Sequence, residues 1–233
     1  MEYYHKYDPE LGDPALARHH SINSAGVPKL QAFLMQLAYD TPDQRIQALE
    51  SSEYSKDYFI DKNDSDFFNI VSHDPLAYVY NIHRGTAGLD DVRTDLSLAM
   101  NRLEYTQRYQ SSLERSHQSA AQHGKHRRVV EVGHSLGGTL AEDIGIRLGH
   151  ESVAFNKGTT PFKTYEGVNR NRHQSYSRSG DAISQFDSTD TRHGTGSGWW
   201  STWMSFQSPL FWLGHAAYST ATQHSASNFT KDA

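Results

Sequence analysis

Ten consecutive residues, Val129-Val-Glu-Val-Gly-His-Ser-Leu-Gly-Gly138, restrict the fold more than any other part of the chain. Val129, Val130 and Val132 make a β-branched run of the kind that suits a buried strand. Thr139 to Leu148 reads as a helix, with Gly149 placed to close it. Between them lies the pattern Gly-x-Ser-x-Gly. A serine so flanked sits on a sharp strand-to-helix turn with strained backbone, and residues two before and two after must be small because backbone crowds there. The pattern is short, so a glycine-rich turn with a passive serine is the alternative reading. The β-branched strand before it and the helix after it are the context the functional turn requires.

The rest of the chain supplies layers for that turn. Residues 1–25 are polar and irregular and read as an arm, with 26–233 as a single domain. Pro28 to Tyr39 places Leu30, Phe33, Leu34 and Leu37 at helical spacing. Thr41 then opens a second helix as N-cap, with Pro42 at its first position and Gln44 as capping-box partner. Asp66–Asp74 and Leu76–His83 read as strands, followed by one long helix from about Asp90 to Gln122. Arg127–Gly133, Glu151–Asn156 and His173–Ser177 complete the predicted strands. Strand and helix in alternation build a mainly parallel central sheet with helices on both faces, an α/β fold.

Composition narrows the function classes. A formal charge of −5 with 22 Lys and Arg argues against a nucleic-acid partner, which needs a basic face for phosphates. The short cluster Lys125, Arg127, Arg128 reads as a solvated strand start. With no cysteine there is no disulfide, thiolate metal site or cysteine nucleophile. The histidines lack paired ligand spacing, so neither metal nor other cofactor is expected. The N-terminus has no apolar signal segment and the chain no run of 18 apolar residues, from which a cytoplasmic or virion-associated location is expected.

A serine on this turn attacks an acyl carbon when a base and an orienting acid reach it, in chain order Ser, Asp, His. Two further segments bear on this. Tyr78-Val-Tyr-Asn-Ile-His-Arg84-Gly85-Thr86, with Thr94-Asp95-Leu96 after it, ends a strand in Arg-Gly-Thr. Ser179-Gly-Asp-Ala-Ile183 follows a later strand. With the serine turn, these segments resemble the class 3 lipase family of α/β-hydrolases over residues 65–190. The resemblance implies Ser135 as nucleophile, Asp181 as acid, and Thr86 with the Leu136 backbone N–H as the oxyanion hole. Asp187 and Asp190 are rival acids in a Ser-Thr-Asp loop of the kind usual for solvated turns. Arg84 reads as a structural ion-pair residue.

Three histidines follow Asp181. His193 lies in a glycine-rich loop. His215, in His-Ala-Ala-Tyr218, resembles the His-x-x-Tyr of fungal members. His224, in His224-Ser-Ala-Ser-Asn-Phe229, resembles the ending of compact virus- and microbe-like members. Those members also carry a segment like Ala154-Phe-Asn-Lys-Gly158, which makes His224 the preferred base.

The stretch from about 190 to 214 holds all four tryptophans, including Trp199, Trp200 and Trp203. It reads as an aromatic insertion: a lid that dips into a lipid interface, a partner surface, or an extension of the core. The expected activity is hydrolysis of carboxylic esters, with lipid or acylglycerol esters the class the resemblance implies. The same triad would serve a thioesterase or acyltransferase, and a silent hydrolase fold used as a binding or virion-structural module is the reading from outside enzymes.

Overall fold

The structure, a computed structural model, describes residues 28–86, 103–158, 172–178 and 191–193. Its elements in chain order are α1 (Lys29–Leu37), α2 (Pro42–Ser51), β1 (Tyr58–Asn63), β2 (Phe67–Ser72), β3 (Tyr78–His83), α3 (Gln107–His123), β4 (Arg128–His134), α4 (Leu136–Leu148), β5 (Glu151–Phe155), β6 (His173–Arg178) and β7 (Thr191–His193). The strands lie in one sheet in sequence order. β1–β2 and β2–β3 pair antiparallel, and every later neighbour pairs parallel. The mainly parallel α/β sheet expected from the sequence is therefore present.

The two faces are built differently. Strand side chains alternate between faces. Phe68 and Ile70 of β2, Tyr78, Tyr80 and Ile82 of β3, and Val130 and Val132 of β4 point toward α1. There they join Leu30, Leu34, Met35 and Leu37 in the main hydrophobic core. The opposite face of the same strands carries Asn69, Asn81, His83 and Glu131, all fully buried. α3 and α4 cover that side, packing Leu103, Tyr109, Leu140 and Ile144 into a smaller core. α3 turns a row of hydroxyls inward: Tyr109, Ser112, Ser116 and Ser119 are its buried residues. Asn69 donates to Ser119 Oγ at 3.0 Å, so this interface is hydrogen-bonded as well as packed.

Several local expectations hold. α2 starts with the full capping box between Thr41 and Gln44, with Pro42 at its first position. α4 closes at Gly149, whose φ of 71° is left-handed. Others need correction. The long helix expected from Asp90 does not run unbroken to Gln122, because a 3-10 turn at Leu103–Tyr105 leads into α3 and Thr106 caps it from Tyr109 N–H. β1 was not expected at all. The sheet also reaches Thr191–His193, so strand rhythm enters the stretch read as the start of the insertion, and His193 ends a strand rather than lying in a loop. The arm at 1–25, residues 87–102 and the remainder of the insertion lie outside the described residues. Among the described residues no helix is long and apolar enough to cross a membrane.

Candidate active site

Parallel sheets present their functional groups at the carboxyl ends of their strands. β3 and β4 are parallel neighbours in register from Tyr78↔Arg128 to His83↔Gly133, so Arg84-Gly85-Thr86 and His134-Ser135 leave the sheet side by side. Ser135 has φ 57° and ψ −125°, a positive-φ conformation rare for a residue with a side chain. Such a backbone costs about 1–3 kcal/mol and persists only where its surroundings enforce it. Those surroundings are explicit. A Cβ on Gly133 would fall 2.1 Å from the Gly137 carbonyl oxygen, and one on Gly137 would fall 2.2 Å from that of His83. Both flanking glycines are required by close approach, as the sequence pattern implied.

Hydrogen bonds lock the turn. Ser135 N–H donates to Phe155 O at 3.0 Å, and Thr139 N–H donates to Ser135 O at 3.1 Å. Thr139 Oγ1 also donates to Gly158 O at 3.2 Å, which ties the turn to the segment after β5. In that segment Asn156 takes φ 41° and Lys157, itself buried, pairs with Glu142 at 2.6 Å. The Ser135 side chain does not cap its own helix. Its Oγ is buried and, among the described residues, has no hydrogen-bond partner. Leu136 opens α4, where first-turn N–H groups lack helical acceptors and carry the positive end of the helix dipole.

The neighbouring turn is held as firmly. Arg84 N–H donates to Asp66 O at 3.0 Å, and Arg108 Nη2 donates to Arg84 O at 2.5 Å. Burial pulls the Arg108 guanidinium below its usual value, and the Asp66 carboxylate opposes that pull. Asp66 is fixed in turn by Arg115 at 2.6 Å. Burial alone would raise the Asp66 carboxyl, but Arg115 and Arg108 overcome it and hold it below its ordinary range. Gly85 packs against the serine itself: a Cβ there would lie 3.3 Å from Ser135 Cβ. Half-buried Thr86 follows. Arg84, expected as an ion-pair residue, meets an aromatic ring and a backbone carbonyl. Among the described residues its guanidinium lies 5.9 Å from the Tyr39 ring centroid and its Nη1 donates to Ser65 O at 3.4 Å.

Two sets of residues escaped the sequence reading. Tyr39, two positions past the end of α1, places its hydroxyl 2.7 Å from His134 Nδ1. Behind the turns, Glu131 accepts from His83 Nε2 and His150 Nδ1, each at 2.7 Å, from Ser116 Oγ at 2.9 Å and from Asn81 Nδ2 at 3.0 Å. Burial opposes ionisation of Glu131, yet the hydrogen bonds from His150 and His83 outweigh it and hold the carboxyl at about 2. The signal was present in sequence as Glu131 inside a valine strand and as Asn81 and His83 at period two. Lys125–Arg128, read as a solvated strand start, is partly anchored: Arg128 pairs with Glu151, and Arg127 donates to the Ser72 and Asp74 carbonyls.

The structure thus brings Ser135, Leu136 and the Arg84–Thr86 turn together. Asp181, Asp187, Asp190, His215, His224, Trp199, Trp200 and Trp203 lie outside the described residues. Among the described residues no group of three His, Asp or Glu side chains is placed to hold a metal ion.

A strained serine between a parallel strand and a helix, beside the turn of the preceding strand, is the geometry of α/β-hydrolase type. A family model described as an uncharacterised protein family (UPF0227) matches residues 89–192, less than half of the chain. The matched stretch takes in α3, β4, the Ser135 turn, α4, β5 and β6. No curated protein matches the chain.

Proposed function

We propose that the chain is a serine hydrolase of carboxylic esters, with lipid or acylglycerol esters as the substrate class its resemblance to class 3 lipases suggests. The observation that carries this reading is Ser135: a buried hydroxyl, unused by its own helix, on a positive-φ turn that flanking glycines make possible. Ser135 Oγ attacks the ester carbonyl while His224 takes its proton, and Asp181 holds the imidazole. The Leu136 N–H and Thr86 receive the oxyanion charge; such fixed donors are worth about 3 kcal/mol each. The imidazolium then protonates the leaving alcohol, and water, activated by the same ring, releases the acid. Trp199, Trp200 and Trp203 are assigned to contact with a lipid interface. The partial match to an uncharacterised family names no substrate, so the lipid preference rests on the sequence motifs.

The test is a fluorophosphonate probe together with a short p-nitrophenyl ester. Wild type should be labelled and turn over the ester. Ser135→Ala should keep its circular dichroism, escape labelling and lose on the order of 10⁴-fold or more in kcat. A Ser135→Ala protein that retains a tenth of wild-type turnover ends the proposal.

A further inference from the structure

We propose that Tyr39 is a positioning residue of this site, whose hydroxyl couples the Arg84–Thr86 turn to the Ser135 turn and so fixes the oxyanion donors relative to the nucleophile. The inference rests on the hydrolase reading of Ser135.

Tyr39 is delivered to the site by a buried arginine. Arg45 of α2 donates to Leu37 O and Ala38 O at the end of α1, each at 3.0 Å, and to Asp64 O and Ser65 O in the β1–β2 turn. The end of α1 is thereby pinned to the sheet, and Tyr39 projects from it with no freedom to drift. Its ring meets the His134 ring edge-on at 5.7 Å between centroids, and the Arg84 guanidinium lies over its face.

The hydroxyl then spans the two turns. The Tyr39 oxygen lies 2.7 Å from His134 Nδ1 in one turn and packs directly against the Gly85 backbone of the other. A protonated phenol donates to Nδ1 in the tautomer that leaves that nitrogen its lone pair, which ties the Ser135 turn to a side chain seated on the Arg84–Thr86 turn. No water fits between these parts. A Cβ on Gly85 would lie 2.5 Å from both the Tyr39 oxygen and the His134 carbonyl oxygen. Burial also pushes the Tyr39 phenol above its ordinary range, so the hydroxyl keeps its proton. Gly85 and His134 are each one residue from a group with a role in the proposed chemistry, Thr86 on one side and Ser135 on the other. The hydroxyl is therefore a side-chain link between donor turn and nucleophile turn. It touches no reacting atom; it sets a separation, and misplacement by about 1 Å costs on the order of 10²-fold in rate.

Tyr39→Phe removes the link and keeps the ring. It should lower kcat on a soluble p-nitrophenyl ester, and the rate of fluorophosphonate labelling of Ser135, about ten- to hundredfold, with KM within about twofold. His134→Leu should show the same loss. His134→Asn, which puts an amide oxygen where Nδ1 stood, should recover activity relative to His134→Leu. The double variant Tyr39→Phe/His134→Leu should be no worse than either single, because both cut one link. Wild-type kcat in Tyr39→Phe, a loss confined to KM, or additive losses in the double variant would overturn the role. If Tyr39→Phe fails to fold, the contrast of His134→Asn with His134→Leu decides: equal activity of the two overturns it. Wild type that the probe does not label would sink the hydrolase reading and this inference with it, whereas labelled wild type and equally fast Tyr39→Phe would sink only the inference.

Discussion

Glu131→Gln is the substitution whose cost is best defined by the structure. A carboxylate only accepts, so all four partners must donate to it, and His83 must carry its proton on Nε2. An amide in its place puts an NH₂ on one side. Facing Ser116 and His83, it forces the His83 proton to Nδ1, which is buried and has no partner among the described residues. Facing Asn81 and His150, it meets an amide donor and an imidazole donor at once. Either orientation strands at least one buried donor, a loss of about 1–3 kcal/mol, and removes charge-assisted hydrogen bonds besides. Linkage gives a similar size. A carboxyl held at about 2 in the fold against an ordinary 4.5 contributes about 3 kcal/mol at neutral pH. The sign follows from the depressed value: this stabilisation is complete above the ordinary carboxyl range and is lost as pH falls from about 4.5 to about 2. Urea unfolding followed by circular dichroism at pH 7 and at about pH 2.5 measures it. Glu131→Gln should be about 3 kcal/mol less stable at pH 7, with the gap narrowing in acid. A difference under about 0.5 kcal/mol at pH 7, or a gap unchanged by acid, refutes the reasoning.

Thr86→Val should lower kcat about 10²-fold with little change in KM, since its hydroxyl is assigned to the developing oxyanion alone; steady-state kinetics on a soluble ester separates the two. Gly137→Ala should abolish activity and lower the melting temperature, because the new methyl would sit 2.2 Å from His83 O and 2.8 Å from the Arg84 carbonyl carbon; wild-type melting and turnover would contradict the geometry of the turn. His224→Ala should cost nearly as much as Ser135→Ala, whereas His215→Ala should cost tenfold or less, because triad members act as a unit. The reverse order would make the fungal-type His-x-x-Tyr alignment correct.

The parts of this molecule that were legible in the sequence are those written in strong local code. The serine turn is one: glycines at fixed offsets, valines before and a helix after leave few conformations. The Thr41–Gln44 capping box and the Gly149 stop are others. β1 was invisible because it pairs with β2 alone on its described side, and Tyr-Phe-Ile-Asp-Lys-Asn alternates burial only weakly. The helix start at Thr106 was missed because Tyr109 stands where a capping box needs Glu or Gln, and no glycine or proline marks the break. Tyr39 and the Glu131 cluster depend on contacts 46 or more residues apart in several cases, such as His83 with Glu131, and no local pattern encodes such pairings. A polar residue inside an apolar strand was the available hint, and it needed the partner strands to be interpreted.

The serine row on α3 has a consequence for how the fold opens. Hydrocarbon torn from a core exposes surface that water hydrates poorly, while a separated hydroxyl pair finds water as a replacement partner. α1 lies on the first kind of surface and α3 largely on the second. The two sides of the sheet should therefore breathe unequally, with the amides of α3 exchanging with solvent before those of α1. That places the softer side behind Glu131, away from the α1–Tyr39 side of the serine turn. Because α3 also carries Arg108 and Arg115, which hold the Arg84–Thr86 turn through Arg84 O and Asp66, its opening would loosen that turn while α1 and Tyr39 stay in place.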